Sequence, residues 1–291
     1  MSLVLSLLVD PARRLDQRHV DLARAAVSHA GEAVWLAPGI ACDIPVGDDA
    51  DLGRIRRALG DAPVDANLIR AEERRKRLLI ADMDSTVVTT ETLDEIAAYA
   101  GLKEVIAPIT RRSMNGEIDF PTALRERVAM LRGLAVDALQ KTLDQTELTS
   151  GARMLVQTMK KSGAFTALIS GGFTFFTEVI GRRCGFDLDR SNVLGVADGK
   201  LTGELVGPIL DKAAKLDSLK ELTARHGLAL AETAAVGDGA NDLAMLGAAG
   251  LGVAFHAKPV VNAEARVQVR HGDLTALLYL QGYRRDEFAA G

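Results

Sequence analysis

Hydrophobic positions fall into two regimes along the chain. In the first, the apolar run 3–9 stops at Asp10 and predicts a buried strand; it has no basic flank of the kind a secretory leader carries. A helix-period stretch follows over 16–30, with Val20, Ala23, Ala26 and Val27 as its apolar stripe. Two short strands, 33–37 and 40–46, are joined at Pro38-Gly39. Asp49 and Asp51 can cap a helix reaching Leu59, and 63–69 reads as a last strand. The order βαββαβ predicts a small sheet with two helices on one face. The segment 71–77 (AEERRKR) mixes both charge signs, as a solvated junction does, and places a boundary near residue 76.

From residue 78 the pattern changes. The runs 78–82, 164–170, 233–238 and 251–255 are continuously apolar, and helical periodicity appears over 152–161, 175–184, 212–226 and 242–249. Apolar strands alternating with helices predict an α/β fold with a doubly wound parallel sheet covered on both faces. Ligands in such sheets bind beyond the carboxyl ends of the strands, and three of these runs end there in acids or in Ser-Gly-Gly. Between the first two runs, 91–100, 103–114, 120–131 and 136–143 all carry helical periodicity. They predict an inserted helical cap at about 88–147, since an unstructured loop of that length is uncommon in a compact domain. Asp198-Gly199, between 193–196 and 201–206, reads as a tight hairpin.

Composition narrows the class. With 48% hydrophobic and 25% charged residues, the chain has the makeup of an ordinary globular protein, which excludes a disordered one. A net charge of −4 supplies no basic field for a phosphate backbone, so nucleic acid is not an expected partner. No apolar run approaches the roughly 18 residues that span a bilayer, so no membrane partner is expected and the cytoplasm is the expected location. Cys42 and Cys184 are too few for a disulfide scaffold and lack metal-ligand spacing. The pattern fixes no oligomeric state, and a homodimer stays open.

Four motifs sit at or near the strand ends. In Asp82-Met83-Asp84-Ser85-Thr86, strand spacing places residues 82 and 84 on one side, so both carboxylates are expected to converge on one small volume. Two such acids repel unless a cation neutralises them, and hard oxygen ligands favour Mg²⁺. Alone, the same residues make an ordinary acidic turn. In Gly237-Asp238-Gly239-Ala240-Asn241-Asp242, the glycines permit close backbone approach, Asp238 can join the metal site, and Asn241 and Asp242 can orient its neighbours. The same stretch also fits a turn that caps a helix at Asp242. Ser170-Gly171-Gly172 offers a hydroxyl and amides ahead of a helix, a phosphate cradle. Lys215 can balance phosphate charge, though a lone lysine is usually a surface residue.

In this order, each tied to a strand end, the four motifs resemble the haloacid dehalogenase phosphatase superfamily from 78 to the end of the chain. Within it, the pattern is closest to the phosphoserine phosphatases. The shared residues are Asp82 to Thr86, Glu91, Met114-Asn115-Gly116, Phe120, Leu124 to Val128, Ser170 to Phe173, Lys215 and Gly237 to Asp242. The resemblance implies Mg²⁺-dependent hydrolysis of phosphoserine through an aspartyl-phosphate, the last step of serine biosynthesis. It implies Asp82 as nucleophile, Asp84 as acid and base, and Lys215 with Ser170, Gly171 and Asn241 around the substrate. It further implies Glu91 on the substrate ammonium, Arg127 on its carboxylate, and Met114 and Phe120 closing the pocket. Asp82, Asp238 and the backbone carbonyl of Asp84 would hold the metal. The charges agree: phosphoserine carries phosphate, ammonium and carboxylate, and an arginine grips a carboxylate bidentately. Taken singly, Glu91 also fits a first-turn helix acid and Arg127 one charge of a solvated face. The order within 1–76 resembles an amino-acid-sensing ACT domain, which would place an amino-acid effector there. Three other readings compete: a phosphatase or phosphotransferase for another small phosphomonoester such as phosphohomoserine, a receiver-like signalling domain, and an amino-acid-binding module. Asp84 and the cap argue against a receiver.

Overall fold

The computed structural model describes residues 3–290, so residues 1, 2 and 291 of the expected domain bounds lie outside the described residues. Strands β1 (Leu3–Leu8), β2 (Val34–Ala37), β3 (Ala41–Val46) and β4 (Asp65–Arg70) form one sheet in the order β2-β3-β1-β4, antiparallel throughout. Helices α1 (Gln17–Ala25) and α2 (Leu52–Leu59) start at Asp16 and Asp51, whose carboxylates accept the amides of His19 and Arg54. α1 stops short of the expected residue 30. Ala30 bridges Val46 and the Gly31 N–H donates to the Pro45 carbonyl at 2.8 Å, so the chain must turn back onto β3.

Strand alternation gives this sheet two different faces. Leu5, Leu7, Cys42, Ile44 and Ala66 pack with Val20, Ala23 and Ile55 of the two helices. Leu8, Ala41 and Ile69 point the other way and belong to the main core of the molecule.

That main core surrounds a seven-stranded sheet. Its strands are β5 (Leu78–Ala81), β6 (Phe165–Phe173), β7 (Leu188–Ala197), β8 (Lys200–Val206), β9 (Thr233–Gly237), β10 (Leu251–Phe255) and β11 (Val267–Val269). They run β11-β10-β9-β5-β6-β7-β8, parallel except for β8. The cap helices α3 (Thr92–Ala98), α4 (Lys103–Met114), α5 (Phe120–Met130) and α6 (Asp137–Gln145) leave after β5. Helices α7 (Ala152–Lys161), α8 (Thr174–Cys184), α9 (Lys212–Arg225), α10 (Leu243–Ala248), α11 (Pro259–Glu264) and α12 (Ala276–Leu280) complete the chain. Leu78 and Ile80 face Leu219, Leu222 and Met245, while Leu79 and Ala81 share a core with Leu155 and Phe176, so helices cover both sheet faces as expected.

Two strands exceed the expectation. β6 runs on to Phe173. The expected hairpin strand 193–196 is the far half of β7, whose first half lies beside β6. That first half (Leu188, Asp189, Arg190, Ser191, Asn192) is mostly polar, so no apolar run marks it. The hairpin also braces the cap: Gly133 and Val136 donate to the carbonyls of Leu201 and Gly199 at 2.8 and 3.0 Å.

Candidate active site

The site begins where β5 ends, at the centre of the large sheet. Residues Met83–Val87 form a wide turn, closed by the Val88 N–H on the Met83 carbonyl at 2.9 Å. Ser85 adopts φ 53°, the left-handed region that few non-glycine residues enter. Both carboxylates line one cavity, but this turn, not strand spacing, brings them there, because the chain is no longer a strand at 84. Asp82 accepts the Met83 N–H at 2.8 Å and lies 2.8 Å from Lys215 Nζ. Asp84 turns toward the cap, accepting the Thr92 N–H at 3.0 Å. Its other oxygen sits 2.6 Å from where a Cβ on Gly172 would stand. Among the described residues, Asp82, Asp238 and Asp242, all buried, form a cluster with carboxylate oxygens within 4.8 Å of one another.

Lys215 rises from α9 into this cluster. Its ammonium is fully buried and reaches Asp242 Oδ1 at 2.6 Å as well as Asp82. Burial pulls its pKa down, but the charges of Asp242 and Asp82 prevail and raise it. Asp242 Oδ2 accepts the amides of Asp238 and Gly239 at 3.2 and 3.1 Å. Gly237 permits this packing, since a Cβ there would fall 2.4 Å from the Asp242 carboxyl carbon. Asp238 accepts from the Thr86 hydroxyl at 3.3 Å and pairs with Lys258 at 3.0 Å.

Burial dominates the protonation of the acids. It pushes the Asp82 carboxyl well up, assisted by Asp242 and opposed by Lys215. Burial raises Asp84 to about 7, with Asp82 adding to it, and raises Glu91 to about 7, with Asp84 adding. Asp238 also moves to about 7, through burial and then Glu91. Three buried carboxylates, held against the ammoniums of Lys215 and Lys258, present clustered hard oxygen donors, a set that fits Mg²⁺.

The neighbouring strand supplies a second wall. At the end of β6, the Gly172 N–H donates to Ser170 Oγ at 2.9 Å. The Gly171 carbonyl accepts from Asn192 at 2.8 Å, and Asn192 in turn accepts the Leu210 N–H at 2.7 Å. Phe120 of the cap lies directly over Gly171, where a Cβ would meet its ring at 2.5 Å.

The cap closes the remaining side. Glu91 accepts from the Ser85 hydroxyl at 2.6 Å. Arg127 is 2% exposed, donating through Nε to the Ala123 carbonyl and through Nη1 to Thr110 Oγ1. One cavity is lined by Asp82, Asp84, Glu91, Met114, Phe120, Arg127, Ser170, Gly171, Asp238 and Asn241, with Lys215 directly behind Asp82. About 20 Å³ is left between core and cap, room for a single water. Sequence reasoning gave Asp242 only an orienting part and missed Lys258, Asn192, Asp94 and Thr110. Asp94 carried the one usable signal, an acid one helical turn after Glu91.

A central parallel strand ending in an acid, an acidic loop on its neighbour, a buried lysine and a helical cap define a class, and comparison with known proteins agrees. The family model for haloacid dehalogenase-like hydrolases matches residues 79–247. The chain belongs to that family. Phosphoserine phosphatase of Streptomyces coelicolor is 43% identical over 217 residues, covering 75% of this chain and 53% of that protein. The chain thus spans about half the length of that curated relative. A substrate-bound phosphoserine phosphatase complex superposes with a TM-score of 0.68 at 38% identity, over 70% of this chain and 98% of that one. A HAD-family hydrolase from Salmonella enterica serovar Typhi reaches 0.83 at 29% identity, covering 96% of this chain and 98% of its own.

Proposed function

We propose that this protein is a Mg²⁺-dependent phosphoserine phosphatase, hydrolysing O-phospho-L-serine to L-serine and phosphate. One observation carries the reading. A single cavity joins an acid pair, Asp82 and Asp84, to the carboxyl of Glu91 and the guanidinium of Arg127 on its cap side. A phosphomonoester needs the first pair; an ammonium and a carboxylate need the second. The similarity to phosphoserine phosphatases supports the same substrate.

In the reaction proposed, an oxygen of Asp82 attacks phosphorus in line and the bond to the serine oxygen breaks. Asp84, whose burial keeps a proton available near neutrality, gives that proton to the departing serine oxygen. The resulting Asp84 carboxylate then takes a proton from water as it attacks the aspartyl-phosphate, releasing phosphate and restoring Asp82. Ser170, the Gly171 amide and Lys215 hold the non-transferred oxygens, with Asn241 beside them. Met114 and Phe120 exclude bulk water. Asp82, Asp238 and the Asp84 carbonyl would hold Mg²⁺, with Asp242 buried against them, and the bound cation would stabilise negative charge on the phosphoryl group.

Phosphate release with Mg²⁺ across a panel of phosphomonoesters tests the substrate. L-Phosphoserine should show the highest kcat/KM, above D-phosphoserine, phosphohomoserine, phosphoethanolamine and an aryl phosphate. A flat profile, or a preference for a substrate lacking the carboxylate, contradicts it.

A further inference from the structure

Arg127 is buried among three cap helices, and its surroundings are unusual for a group that must receive a carboxylate. Nε is held by the Ala123 carbonyl of its own helix at 3.0 Å, and Nη1 donates to Thr110 Oγ1 on α4 at 2.8 Å. The same Thr110 hydroxyl donates to Asp94 Oδ1 on α3. Among the described residues, Nη2 makes no hydrogen bond, and Arg127 lines the cavity. Thr110 and Asp94 are both buried, at 3% and 8% exposure.

We propose that Asp94 and Thr110 form a positioning relay for Arg127, in which the threonine hydroxyl keeps the Asp94 charge near the guanidinium without letting it occupy the substrate-facing edge. This rests on the reading of Arg127 as the carboxylate site.

The physical logic is a choice between two ways of burying an arginine. A direct bidentate carboxylate would satisfy the cation fully and would compete with the carboxylate of the substrate for the same fork. A hydroxyl placed between them has one proton and two lone pairs. It donates to Asp94 and accepts from Nη1, so each group has a partner and the fork keeps one nitrogen free of protein acceptors. The negative charge stays one hydroxyl away, where it partly offsets the burial that pulls the pKa of the Arg127 guanidinium down. Because α3 carries both Glu91 at its start and Asp94 in its first turn, the relay also ties the ammonium site to the carboxylate site.

Steady-state kinetics on two substrates tests the relay: phosphoserine, and phosphoethanolamine, which keeps the ammonium and lacks the carboxylate. Thr110→Val should raise KM for phosphoserine about tenfold with kcat little changed, and leave KM for phosphoethanolamine near the wild-type value. Thr110→Ser should restore the phosphoserine value. In an Arg127→Ala background, Thr110→Val should add no further loss on phosphoserine. Where Thr110→Val fails to fold, Asp94→Asn supplies the same comparison with a smaller shift in the same direction. Equal losses on both substrates, or additive losses in the double variant, overturn the relay. A wild type that does not distinguish the two substrates overturns the Arg127 reading and the relay together. A selective wild type with an unchanged Thr110→Val variant overturns the relay alone.

Discussion

Lys215 sets the charge balance at the bottom of the site, and its burial makes it indispensable to the protein before any substrate arrives. Its ammonium is the cation shared by Asp82 and Asp242, at 2.8 and 2.6 Å. Breaking a buried pair by removing one partner leaves the other charge uncompensated and costs about 3–5 kcal/mol. Lys215→Met should therefore lower the unfolding free energy of the metal-chelated protein by that order, read from urea midpoints, and added Mg²⁺ should recover part of it. An unchanged midpoint would contradict the charge balance described. At this scale the sequence was informative where chemistry is local. The acids of 82–86 and 237–242 stand out because they end apolar strands. The bridge from Asp82 through Lys215 to Asp242 was hidden because the three residues are far apart in the chain, and the turn after Ala81 sets the direction of Asp84 in a way strand spacing does not give. Asp94, Thr110 and Arg127 meet across separations of 16 and 17 residues on three helices, and no local spacing marks such a triplet.

Among the elements, the contact of the cap with the end of β6 decides access. Phe120 opens α5 and its ring fills the space over Gly171 that any larger residue would need. Gly171→Ala should push the ring away, raising KM for phosphoserine about tenfold or more, since forcing a methyl into a packed site is resisted by about 1–3 kcal/mol. Adding Phe120→Ala should recover part of that loss, because it removes the atoms the new methyl meets. Equal activity of Gly171→Ala and wild type would show that the cap does not close on this glycine during turnover. The helical cap was legible because four amphipathic stretches follow one another without a strand signal. The first half of β7 was not, because its polar residues serve the site and its neighbours instead of a core: Asn192 holds the Gly171 carbonyl and Arg190 pairs with Glu221.

For the molecule as a whole, the small N-terminal sheet is bound to the large one through its second face. The Asp65 carboxylate accepts the amides of Arg270, His271 and Gly272 at 2.8, 3.0 and 2.8 Å, and Asn67 exchanges hydrogen bonds with the backbone of Gln268. Leu8, Leu36 and Ile69 complete a core shared with Leu277 and Tyr279. Such sharing predicts a single cooperative thermal transition for the full chain. Asp65→Ala should lower its midpoint by several degrees, about 2–3 kcal/mol for a lost carboxylate serving three buried or partly buried amides, with KM for phosphoserine unchanged. Two separate transitions in the wild type would refute the shared core. The two sheets were visible from the sequence, while their union was not, because Asp65, Asn67 and their partners lie about 200 residues apart and carry no periodic signature. The central claim, that Asp82 is the group phosphorylated during hydrolysis of phosphoserine, is tested most directly by acid-quenching the enzyme during turnover of ³²P-labelled phosphoserine. Wild type should retain an acid-stable, base-labile label on the peptide containing Asp82, and Asp82→Asn should show neither label nor turnover. Label on another residue, or undiminished turnover by Asp82→Asn, would contradict the account.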